Sequence, residues 1–144
     1  MEFSGFAKLM RQRRANLPGE VHKVVQNTAA VYLVTISDLT PVDTGAAVSN
    51  WQVGINSSPS GVLRPHVPGN FRSTALENLN ATIRNGSNLI YASKAGDEIH
   101  IVNNIHYITE LDQGSSGQAP SGMTSIAELT AMRVATSAKV VTPK

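Results

Sequence analysis

The chain has no cysteine among its 144 residues. That absence removes disulfide frameworks, thiolate metal sites and thiol catalysis together. Charge is also scarce: 15% of residues are charged, against about 25% in an average globular protein. Aromatics make up 5% and do not interleave with the basic residues, so a base-stacking platform is unsupported. No stretch approaches the ~18 consecutive apolar residues of a membrane span. The opening Met1-Glu2-Phe3-Ser4-Gly5 lacks a secretory signal pattern. The expectation is a soluble chain made in a reducing cytoplasm. The three Asn-x-Ser/Thr sequons at Asn56, Asn80 and Asn85 carry no meaning there.

A hydrophobic content of 41% with 11 Gly and 7 Pro describes a turn-rich domain with a core, not a disordered tail or a coiled coil. The length fits one domain, divided here into an arm over 1–19, a core over 20–139 and a tail over 140–144. The net charge of +2 is unevenly placed. Lys8, Arg11, Arg13, Arg14 and Lys23 crowd the start, and acidic residues gather after Arg84. Such asymmetry orients a partner, but +2 is far too mild for a DNA-binding protein.

Hydrophobic spacing predicts an amphipathic arm helix over Phe3–Leu17, with Phe6, Leu9 and Met10 on one face. A longer helix follows from Glu20, carrying Val21, Val24, Val25, Thr28, Tyr32, Ile36 and Leu39 at helical intervals. Its β-branched residues make it dependent on packing, and Thr40-Pro41 ends it. Alternation over Ala47–Ile55 predicts a strand with Trp51, Val53 and Ile55 on the buried face. Ser57–Gly69 is a long loop. A helix from Thr74 to about Asn85 is capped by Ser73, striped by Leu76, Leu79 and Ile83, and closed by Gly86. A second strand spans Asp97–Asn103, and a helical turn covers Tyr107–Gln113. A polar loop over Gly114–Gly122 leads into a last helix in which Met123, Ile126, Leu129 and Met132 recur every three residues. This order is α+β, a small antiparallel sheet packed with helices.

Enzyme signatures are absent: no phosphate-cradling loop, no glycine-flanked nucleophile, no paired-His helix, no calcium loop. His100, His106, Glu110 and Asp112 are the best metal-ligand candidates, but no spacing ties them into one site. They read more simply as a strand edge and a decorated helical turn. The basic cluster on the arm is the one feature that fits a nucleic-acid-binding module, through salt-sensitive phosphate contacts. The turn Thr40-Pro41-Val42-Asp43-Thr44-Gly45 has a local mechanism of its own. Pro41 fixes φ, Asp43 can bond the backbone two residues on, and Gly45 supplies a positive φ if the turn needs one. Asn50-Trp51 then places one large side chain on the strand.

Taken as an ordered set, several of these fragments are similar to one family. They are Thr40–Gly45, Asn50-Trp51, Asn103-Asn104 through Tyr107 to Glu110-Leu111, Gly114-Ser115, and Gln118-Ala119-Pro120-Ser121-Gly122-Met123. The chain resembles, from about Val21 to Met132, the tail-completion or neck proteins of tailed bacteriophages, which include tail terminators. It departs from them at Asp112-Gln113 before Gly114, and at Ala46-Ala47-Val48, where an Arg is common. The resemblance implies a virion protein without catalytic residues or cofactors. It implies a homo-oligomeric ring at the head–tail junction, hexameric or dodecameric. Such a ring joins a connector, adaptor or head-closure ring to tail proteins, and DNA passes through it without specific binding. Loops and termini grip the neighbours in that setting. Ser57–Gly69, Gly114–Gly122 and the arm residues Phe6, Lys8, Leu9, Arg11, Arg13 and Arg14 are the interface candidates, the arm lying against a neighbouring protein.

Overall fold

The computed structural model describes residues 19–138. The arm helix, its six candidate residues and the tail from 139 onward lie outside that range.

Helix α1 spans Gly19–Leu39 and is the element around which the others pack. Val21, Val25, Thr28, Ala29, Tyr32, Leu33 and Ile36 are buried along it, so packing supplies what its β-branched residues lack in propensity. Thr40 closes the helix twice over. Its N–H donates to Ser37 O at 3.2 Å and its hydroxyl to Ile36 O at 2.6 Å.

The predicted strand from Ala47 is corrected at its first half. Ala46–Ser49 is a short helix, α2, and only Trp51–Ile55 is strand, β1. Gly45 is the reason. It takes φ +88 and turns the chain into a helical start, after which Asn50 Nδ2 donates back to Ala46 O at 2.8 Å. A side chain at Gly45 would also sit 2.3 Å from Asn78 Nδ2, so glycine is required by space as well as by conformation.

Helix α3 covers Ala75–Ala92, one and a half to two turns beyond the predicted end. Gly86 does not stop it. A Cβ there would lie 2.4 Å from Leu33 Cδ2 and 2.9 Å from Val53 Cγ2, so the glycine lets α3 approach α1 and β1 closely. The predicted Leu76, Leu79 and Ile83 stripe is likewise corrected. Leu76 is exposed and the other two half-buried, while Asn78, Ala81, Thr82, Gly86 and Ile90 face the interior. The N-cap is Thr74 rather than Ser73, and its side chain makes no capping bond.

Strand β2, Ile99–Asn103, starts two residues later than expected and pairs antiparallel with β1, Trp51 opposite Asn103 and Ile55 opposite Ile99. Trp51, Val53, Ile99 and Ile101 join the core as expected. The helical turn α4 is Ile108–Asp112, shorter by one residue at each end. The last helix, α5, runs Thr124–Ser137 against α1. Its buried residues are Ala127 and Ala131, not Ile126, Leu129 and Met132, which are exposed. Small residues permit close approach between α5 and α1. The class is α+β, with a two-stranded sheet and five helices among the described residues. None of those helices is long and apolar enough to cross a membrane.

Candidate functional site

The fragments that carry the family likeness lie far apart in sequence and meet at one end of α1. Val42 N–H donates to Gln118 Oε1 and Gln118 Nε2 donates to Val42 O, both at 3.1 Å. One side chain thus reads a turn residue as a neighbouring strand would. Trp51 Nε1 donates to Thr40 Oγ1 at 2.8 Å, which fixes the indole under the end of α1. Asn103 Nδ2 donates to Ala47 O at 2.9 Å, tying β2 to α2.

Around this junction lies a groove of about 360 Å³, lined by Pro41, Asp43, Gly45, Tyr107, Leu111 and Gln118 among others. Burial pushes the Tyr107 phenol pKa up, and the Asp43 carboxylate adds to it. Tyr107 therefore stays protonated as a polar but uncharged wall. Of the second motif loop, Ala119, Gly122 and Met123 are buried, Gly114 is half-buried, and Pro120 is exposed. The Glu110 side chain is exposed, and its carbonyl accepts Ser115 N–H at 3.2 Å.

Asp43 departs from its predicted role. Its carboxylate accepts Phe71 N–H at 2.8 Å and its carbonyl accepts Arg72 N–H at 3.0 Å. The turn residue grips the turn that precedes α3 instead of its own backbone.

That loop is pinned by buried amides. Asn50 exchanges bonds with Leu63, Oδ1 accepting at 2.7 Å and Nδ2 donating at 2.9 Å. Asn78 does the same with Val67, at 2.9 Å and 2.8 Å, and Ser49 Oγ takes His66 N–H at 3.1 Å. Asn104 reaches outward to the Pro59 and Gly61 carbonyls at 2.9 and 3.1 Å. Buried backbone and side-chain polar groups need such partners. Asn50, Asn78 and Asn103 are each fully buried.

Asn78 and Thr82, which bond the loop and α2 from within α3, are parts of this junction that sequence reasoning missed. Nothing in the hydrophobic spacing marked them, because the apolar Leu76, Leu79 and Ile83 drew the stripe to a different face of the helix. Phe71, exposed before α3, was missed as well.

The metal candidates do not assemble. His100 pairs with Glu98 at 3.0 Å, and His106 is exposed with its ring edge-on to Tyr107, centroids 5.0 Å apart. Asp112 is engaged at the start of α5, where it accepts from Met123 N–H at 2.9 Å, Thr124 N–H at 2.8 Å and the Thr124 hydroxyl. Among the described residues no three His, Asp or Glu are grouped to hold a metal. What the junction offers is a shaped, hydrogen-bonded surface with rigid loops. No family model, no curated protein and no solved structure matches this chain.

Proposed function

We propose that the chain is a structural subunit of the neck of a tailed bacteriophage, forming a ring that joins the head connector to the tail. The observation that carries this reading is the convergence of the separate motif fragments, 40–51, 103–111 and 114–123, into one hydrogen-bonded junction. A family pattern met by chance has no reason to fold into one unit; a pattern that maintains a common scaffold does. A chain with 15% charged residues also suits a subunit that covers much of its polar surface by assembly. The protein works by presenting loops to its neighbours and performs no turnover.

Sedimentation and native mass measurement across a concentration series test the reading. A closed ring that grows in with concentration, and density for it at the head–tail junction of a virion, is the expected result. A chain that stays monomeric at every concentration and is missing from particles overturns it.

A further inference from the structure

Two consecutive residues other than glycine, Phe71 (φ +49) and Arg72 (φ +64), stand in the left-handed region. A bulky residue there is uncommon and costs energy, so it persists only where surroundings impose it. Asp43 imposes it through its two bonds to this backbone. The result is a phenylalanine 88% exposed on a backbone held from below. At that exposure its ring fills no cavity of its own molecule.

Elsewhere on α3, beside its second half, is a cavity of about 200 Å³ lined by Trp51, Val53, Leu63, Gly86 and Leu89 with Thr82. It is smaller than the roughly 300–1,000 Å³ of ligand pockets, a size that suits one inserted side chain, and its lining mixes these apolar groups with Ser49, Gln52 and Asn85. Leu63 and Leu89 at its rim are 42% and 46% exposed. The two places are charged oppositely. Phe71 has the exposed Asp43 bonded to its amide and the exposed Glu77 in the first turn of the helix that follows, with Arg72 the one opposing cation in the turn. The cavity has His66 in its wall and the exposed Arg64 and Arg84 beside it, Arg84 near enough to act on His66 electrostatically.

We infer that Phe71 of one copy of the chain inserts into the Leu63–Leu89 cavity of the next copy, and that this contact closes the ring. The inference rests on the ring reading above and deepens it. A knob and a hole at separate places can meet head to tail, a heterologous contact that builds a ring where the rotation between copies closes. A central aromatic anchor in an apolar pocket, rimmed by complementary charge, is the usual source of such binding energy. A larger cavity of about 430 Å³ lies beside Phe71, with Arg72 and Leu76 in its wall. A knob beside its own hole favours a reciprocal two-fold exchange, which closes at two copies.

The full-length chain tests this in two ways. Phe71→Asn removes the aromatic ring but suits the left-handed backbone better than phenylalanine does. The variant should melt at or above the parent's temperature while needing at least about ten-fold more protein to assemble. Since the parent has no cysteine, Phe71→Cys with Leu89→Cys in one chain should give a covalent ladder under mild oxidation, and Phe71→Cys alone should give none. If the parent forms rings and Phe71→Asn forms them equally well, this contact is overturned and the ring reading stands. The contact is likewise overturned if Phe71→Asn rings are intact but no longer join an adjacent ring, because Phe71 then docks a different protein. Dimers from Phe71→Cys alone overturn it in favour of the two-fold exchange. A parent that never assembles and is missing from particles overturns both readings.

Discussion

Trp51 does two things at once: it fills the core beneath the end of α1 and donates to Thr40 Oγ1. The two contributions separate by substitution. Trp51→Ala removes both and should cost roughly 3–5 kcal/mol in denaturant unfolding. Trp51→Phe keeps most of the packing and loses the hydrogen bond, so about 1 kcal/mol is expected. Equal losses for the two variants would show that the bond, not the packing, holds this end. Gly86 is the opposite kind of residue, needed for what it lacks. Gly86→Ala gains about 1 kcal/mol of helix propensity but drives a methyl into Leu33 and Val53. Overpacking costs typically about 1–3 kcal/mol, and Leu33 is wholly buried, so the sum should be destabilising by thermal melting. A gain in melting temperature would mean that α3 is free to move off α1.

At the scale of elements, the long helix, the paired strands and the order of segments were readable because apolar spacing dominates them. Two helix faces were not. In α3 the inward face carries Asn78, Thr82 and Gly86, polar or small residues whose value appears only once their partners are in place. In α5 the inward face is Ala127 and Ala131, whereas the larger Ile126 and Leu129 point to the exposed side. Hydropathy favours the larger aliphatic side chains over alanine and so misplaces a face built for close approach.

The start of α5 was legible to within one residue but its cap was not, since Met123 at its N-cap has no capping group. Asp112, eleven residues earlier, supplies the acceptor. Burial alone would raise the Asp112 carboxyl pKa. Bonds from the Thr124 side chain, the Thr124 amide and the Met123 amide together outweigh it and hold the pKa below the ordinary 3.8. A carboxyl depressed in the folded state stabilises above its unfolded pKa and loses that stabilisation as pH falls through its folded value. Asp112→Asn keeps an acceptor but cannot titrate. Its melting temperature should fall below the parent's at pH 7, and the gap should close as pH drops from about 4 downward. A gap that stays constant to about pH 2 would place the effect in packing.

For the molecule as a whole, the two long loops read from sequence as segments that grip neighbours, and both are tied to the rest of the chain by side-chain hydrogen bonds. Ser57–Gly69 is stapled at its base by the buried Asn50, Ser49 and Asn78, and at its tip by the half-buried Asn104 and Gln52. No single-sequence pattern marks an asparagine as a staple, because its partner carbonyls belong to residues 11 to 45 positions away. Asn78 joins four parts of the chain at once, bonding Ser49, Val67 and Thr74 from within α3 while leaving no space for a side chain at Gly45. Asn78→Ala strands several of these buried groups, each worth about 1–3 kcal/mol unpaired. It should therefore speed amide exchange from Gly45 through α3 as one cooperative unit. Asn104→Ala frees only carbonyls that water reaches, so exchange should rise near the loop tip alone and the melting temperature should barely change. If both substitutions loosen only the loop, the base is not coupled to the core. If both unfold the domain, the tip is part of the core and cannot be the portion that grips a neighbouring ring.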